Sequence, residues 1–260
     1  MKNRQKYNKK VRKQPTRRIP EQTTRTVKFN VATNLVLGVL VLSVGALCLS
    51  PLDGSAYTSG EETPIYRSAN GEGKGVSLMF NVYWGTAEVY RVLDILQTYE
   101  AKATFFIGGC WADDNVECLR SIHEKGHEIG NHGYFHKDQD KLNLVENQKE
   151  IAECNNFIKL AIGVQPTLFA PPSGAYNQYT LEACQALEMK TVLWSRDTID
   201  WRDKNAAVIY TRATKNIKRG DFVLMHPMTA TADALEDILK YYRSQSLATV
   251  TVSENLRNNG

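Results

Sequence analysis

Between residues 76 and 252 the apolar positions follow two alternating patterns. Short runs rich in branched and aromatic residues read as strands: VSLMFNV (76–82), ATFFIG (103–108), HEIGNH (127–132), TLFAP (167–171), TVLW (191–194), FVLMH (222–226) and TVTV (249–252). Stretches near 86–99, 114–125, 141–162, 179–187, 206–217 and 230–245 repeat their apolar positions at helical spacing. Seven strands with helices between them predict an α/β fold on a parallel sheet. The even repetition favours a barrel over an open sheet, and in both the chemistry gathers where strands end.

The first 75 residues break this pattern. Residues 1–30 carry eleven Lys or Arg against one acid, Glu21, a net of +10; the whole chain is +4, so the remainder is −6. The basic balance therefore belongs to a tail. VATNLVLGVLVLSVGALCL (31–49) is uncharged and nearly all apolar, long enough to cross a hydrocarbon core of about 30 Å. It predicts one transmembrane helix over 31–50, a signal anchor, with the basic flank in the cytoplasm and the rest of the chain outside. A cleaved signal peptide is the alternative. Residues 51–75, rich in Gly, Ser, Thr, Glu and Pro, read as a flexible stalk, and 76–260 as the functional domain. Partners are thus a membrane and an external ligand, with no nucleic acid expected.

Several motifs carry no function. GEGKG (71–75) lacks the spacing and the Ser or Thr of a phosphate loop. Cys110, Cys118, Cys154 and Cys184 form an even set, but with no CxxC pair they read as small buried hydrophobes. Ser173 lacks the elbow of a serine hydrolase. His127 reads as structural and His123 as solvated, Asp197 as a turn cap. Trp84, Trp111 and Trp194 read as core, although Trp84 and Trp111 also suit sugar stacking at a strand end.

Five predicted strand ends carry reactive groups: MFNVYWG (79–85), NHGYFH (131–136), LFAPPSGAY (168–176), SRDTIDW (195–201) and VLMH (223–226). Two imidazoles four residues apart can converge on one cation. Alone the pair is weak; with Asp200-Trp201, the distant His226 and a Pro-Pro-x-Gly turn, the set resembles the NodB-type polysaccharide deacetylases, carbohydrate esterase family 4, over roughly residues 76–252. The resemblance implies a distorted (β/α) barrel of about seven parallel strands and metal-dependent removal of acetyl groups from an N-acetylated sugar polymer, such as peptidoglycan. It implies a divalent metal, expected to be zinc, on His132 and His136, and His226 as general acid tuned by Asp200. Pro172, Ser173, Gly174 and Tyr176 fall in the groove wall that binds the oxyanion, and Trp201 and Leu224 in the acetyl pocket.

The first motif departs from the family pattern. Where Thr-Phe-Asp-Asp-Gly is usual, this chain has Phe80-Asn81-Val82-Tyr83, so an amide stands for the base and an alkyl group for a metal ligand. Ala170 replaces the Arg that pairs with the base, which removes a charge that would otherwise be left uncompensated. Two readings follow. In the first, favoured because the acid side is kept, Asn81 or a carboxylate nearby, Asp113 or Asp114, completes the metal site or supplies the base. In the second, the domain binds wall glycan without hydrolysing it.

Overall fold

The computed structural model describes residues 63–68 and 73–257. The basic tail, the apolar run at 31–50 and most of the predicted stalk lie outside the described residues. Among those described, no helix is long and apolar enough to cross a membrane.

Among the described residues there are seven strands: β1 (Ser77–Val82), β2 (Thr104–Ile107), β3 (Glu128–Asn131), β4 (Leu168–Phe169), β5 (Lys190–Thr191), β6 (Arg196–Asp197) and β7 (Phe222–Met225). They form one sheet in the order β5-β4-β3-β2-β1-β7-β6, parallel at every pairing. Helices α1 (Ala87–Thr98), α2 (Gly109–Asp114), α3 (Val116–Glu124), α4 (Leu144–Ile162), α5 (Gln178–Ala186), α6 (Asp200–Asp203) and α7 (Ala206–Thr214) lie in the crossovers that parallel strands need, and α8 (Thr229–Ser244) and α9 (Val252–Leu256) follow the last strand. β5 and β6 do not pair with each other, so the expected barrel is interrupted there.

Residues 63–68 reach both sides of that gap. Ile65 bonds the backbone of Thr191 and Leu193 at 2.9 and 2.8 Å, and Ser68 N–H donates to Gly220 at 2.9 Å. Arg67 pairs with the buried Asp221 at 3.3 Å, and a Cβ on Gly73 would fall 2.3 Å from the Gly220 backbone. These residues are docked on the domain, which corrects the expectation of a flexible stalk up to residue 75.

Strand alternation builds two cores. Leu78, Phe80, Val82, Phe105, Ile107, Ile129, Val223 and Met225 face the helices. The opposite row, Met79, Phe106, Leu168, Ala170 and Phe222, fills the interior of the curled sheet. Gly130 belongs to that row because a Cβ there would lie 2.5 Å from the Phe106 ring. Extending each inner row by one or two residues gives Asn81, His132, Leu224 and His226. The strand pleat itself therefore turns the site residues inward.

TVTV is not a strand. Thr249 makes one bridge to Val76, after which Thr251 caps α9 through a capping box with Glu254. Val252 and Leu256 then plug the inner core from below. The alternation of β-branched residues imitated a strand at what is a helix start. The seventh strand is β6, two residues long and polar, inside the SRDTIDW segment. The helix expected over 114–125 is α3, and the short α2 before it, ending at Asp114, was not expected.

Cys118, Cys154 and Cys184 are buried and Cys110 is exposed. His127 is buried against Phe105, with rings 5.2 Å apart, and His123 is exposed. Burial, reinforced by Lys102 and Lys125, lowers the His127 pKa to about 4. A histidine held neutral in the fold but free to protonate near pH 6.5 when unfolded makes the unfolded state bind more protons below that pH. Stability is therefore expected to fall as pH drops from 6.5 towards 4, by roughly 3 kcal/mol for this residue. Urea unfolding at several pH values checks this, and His127→Leu should make the profile shallower by this share, with His132 and His136 keeping theirs.

Candidate active site

A cavity of about 350 Å³ opens at the carboxyl ends of the strands, a volume suited to a sugar-sized ligand. Asn81, Tyr83, Trp84, His132, His136, Ser173, Trp194, Asp197, Trp201, Leu224 and His226 line it. The first, second, fourth and fifth reactive segments thus converge, while only Ser173 of the third reaches the lining.

His132 follows β3 and is fully enclosed; its Nδ1 lies 2.7 Å from the Ala170 carbonyl. A carbonyl can only accept, so Nδ1 carries the proton and Nε2 keeps its lone pair. Burial, with His136 alongside, lowers the His132 pKa to about 3, so the ring is neutral at physiological pH. His136 sits at φ 54, a left-handed conformation, with its ring centroid 5.0 Å from that of His132. Burial lowers its pKa as well.

The other half of the site is organised by Asp200, which is wholly buried. Its Oδ1 accepts from His226 Nδ1 at 2.7 Å and from the Trp201 N–H at 2.9 Å. Its Oδ2 accepts from the His226 N–H at 2.6 Å and the Thr231 hydroxyl at 2.7 Å. Four donors fix one carboxylate, and the carboxylate fixes the His226 tautomer, leaving Nε2 as the other polar atom of the ring. Leu224, 3% exposed, and Trp201, 51% exposed, add apolar surface to the cavity. Asp197 caps a turn, accepting from the Ile199 N–H at 2.8 Å, and burial raises its pKa.

The base side is different. Asn81 is 3% exposed, and its Oδ1 is buried with no hydrogen-bond partner. Val82 points into the helix-facing core. Asp113 and Asp114 end α2, exposed and outside the cavity lining, which corrects their expected role as base or third ligand. They follow β2 closely in sequence, but α2 carries them outward. Among the described residues no three of His, Cys, Asp or Glu are grouped to hold a metal ion. Two neutral imidazoles and an amide oxygen are a poor donor set for the acidified, metal-bound water that hydrolysis needs. These residues do not fit the metal centre that the resemblance implies.

Pro172 is buried, and Gly174 packs against Trp194, where a Cβ would lie 2.9 Å from the ring. Tyr176 is outside the lining; its hydroxyl lies 3.4 Å from that of Tyr66 on the docked segment. Four contributors to the site carry no motif in the sequence: Tyr83, Trp84, Trp194 and Thr231. Tyr83 was legible, since it lies two residues beyond Asn81 on the inward row. Trp84 and Trp194 were read mainly as core. Thr231 had no local signal, coming from α8, 31 residues from the carboxylate it donates to. Trp111 is core, 6% exposed, and its Nε1 donates to the Gly85 carbonyl at 2.6 Å.

Residues 68–192 match the family model described as polysaccharide deacetylase. A peptidoglycan-N-acetylglucosamine deacetylase from Bacillus cereus is 34% identical over 173 residues, covering 64% of this chain and 81% of the relative. The uncharacterised protein YlxY of Bacillus subtilis is 38% identical over 74% of this chain, which spans only 60% of YlxY. A solved structure of a CE4 family pseudoenzyme from Bacillus anthracis superimposes with a TM-score of 0.72 at 33% identity, over 75% of this chain and 69% of that one. A mutant of that pseudoenzyme is described as having restored enzymatic activity. The 34% identity over 81% of the Bacillus cereus enzyme, together with the family-model match, shows that the chain belongs to the polysaccharide deacetylase family.

Proposed function

We propose that this domain binds N-acetylated cell-wall glycan in the cleft of a deacetylase without hydrolysing it. The observation that carries the reading is Asn81. It occupies the inward position where the family's base stands, its amide cannot take a proton from water, and no carboxylate among the described residues joins His132 and His136. The relatives named as peptidoglycan deacetylases make peptidoglycan the glycan of choice, and the pseudoenzyme relative supports loss of turnover on the same frame. Zinc or another divalent cation would meet only a two-histidine half-site, and glycan binding does not depend on it. The uncharged run at 31–49 supports a single-pass anchor that places the domain outside the membrane, next to the wall.

A second reading, retained hydrolysis, is favoured by the intact Asp200–His226 pair. It needs a base that the cleft does not supply: Asp113 and Asp114 lie outside it, and Asp197 is engaged in its turn. The test is sedimentation of the purified domain with insoluble peptidoglycan, before and after chemical N-deacetylation of the polymer. Retention on the acetylated wall and loss on the deacetylated one is expected. Equal retention on both, or none on either, sinks the proposal.

A further inference from the structure

The stretch that replaces the family's acidic motif does more than remove a base. Tyr83 stacks on His136, centroids 3.6 Å apart at 17°, and Trp84 stacks on His226 at 5.4 Å and 14°. The two rings meet edge to face at 4.3 Å and 88°. One face of each histidine is thus covered by an aromatic ring. Tyr83 is nevertheless 40% exposed, and both rings line the cavity with Trp194 and Trp201.

This pair is held rigidly. Gly85, at φ +69, turns the chain immediately after Trp84. The Trp111 indole ties the Gly85 carbonyl to α2, and the Thr86 hydroxyl donates to Asn115 Oδ1 at 2.8 Å. Aromatic surface displayed on a fixed loop at a cleft mouth costs burial that a soluble domain would otherwise gain. A flat apolar face suits the C–H face of a pyranose ring. An independent observation points to a ligand in the same cavity: the buried, unpartnered Asn81 Oδ1 is an acceptor without a donor, a state that proteins rarely leave unfilled.

We infer that Tyr83 and Trp84 form a sugar-stacking platform, and that Asn81 Oδ1 accepts the amide N–H of an N-acetylhexosamine lying on it. The inference rests on the glycan-binding reading and assigns that binding to three residues on one strand end. Asn81 then has a role of its own. As an acceptor that stays neutral, it holds the amide that an aspartate in its place would help to cleave.

Calorimetric titration of the domain with the tetramer of N-acetylglucosamine tests this. Trp84→Ala and Tyr83→Ala should each weaken binding about tenfold, and Asn81→Leu by a similar factor, since each removes roughly 1.4 kcal/mol of interaction. Trp84→Phe and Tyr83→Phe should recover most of the loss, which a merely structural defect would not explain. Unchanged thermal melting of the alanine variants accompanies the expected result. If the wild type binds and all three variants bind within twofold of it, the platform is overturned while the glycan-binding reading stands. If the wild type binds neither this tetramer nor wall fragments, both are overturned.

Discussion

Replacing Asp200 with Ala is expected to lower the unfolding free energy by roughly 3–5 kcal/mol, the range for breaking a buried, fully bonded charged network. The carboxylate accepts from two backbone N–H groups, one hydroxyl and one imidazole, all within 2.6–2.9 Å. Its removal orphans four donors at once, in a place where water cannot easily replace four acceptors, and each orphan carries a desolvation cost. The effect should extend beyond the site, because Thr231 belongs to α8, Trp201 to α6 and His226 follows β7. Urea unfolding followed by far-ultraviolet circular dichroism measures it. Asp200→Asn keeps the volume and one acceptor, so a smaller loss is expected. A drop below about 1 kcal/mol for the Ala variant would show that the network does not hold these elements together.

The second large effect is a gain. Position 81 matches the family's base, but Val82 faces the core, so Asn81→Asp is the substitution that puts a carboxylate into the cavity shared with His132 and His136, and it should raise affinity for zinc by at least about 100-fold, since a charged ligand outweighs the outer partners whose loss already costs 10–100-fold. His132 is prepared for such a partner: its Nδ1 is committed to Ala170, leaving Nε2 unprotonated. His136 lies beside it. Without metal the same substitution should destabilise the fold, since a carboxylate would be buried beside two neutral rings with no cation to pair it. Competition against a zinc-binding dye reads the gain, and His132→Ala in the same background should abolish it. No change in affinity would mean that Asn81 does not face the histidine pair.

Most of the frame was legible from residue pattern. β1, β2, β3 and β7 are apolar on one or both faces and bounded by turn residues, so their ends fell within a residue or two of the expected runs. β6 was hidden because Arg196 and Asp197 carry no apolar signal; they pair with β7 through their backbones only. TVTV misled for the opposite reason, since a Thr that caps a helix and a Val that plugs a core look the same as alternating strand residues. In the site, His132, His136, Asp200, Trp201, Leu224 and His226 were found because their spacing resembles a family motif. Asp113 and Asp114 are close to the end of β2 in sequence but not in the cavity, because α2 intervenes and carries them to the surface. Tyr83 and Trp84 belong to no motif of their own, although the period of the strand points Tyr83 inward.

The central claim is that this cleft holds the acetamide of a wall sugar but has lost the groups that would cleave it. Its most direct test is the release of acetate from N-acetylglucosamine oligomers and from purified peptidoglycan, measured by a coupled enzymatic assay with zinc, cobalt, manganese and nickel supplied in turn. No acetate above the level of a His226→Ala variant is expected under any of these conditions. Acetate released by the wild type and abolished by His226→Ala would contradict the account.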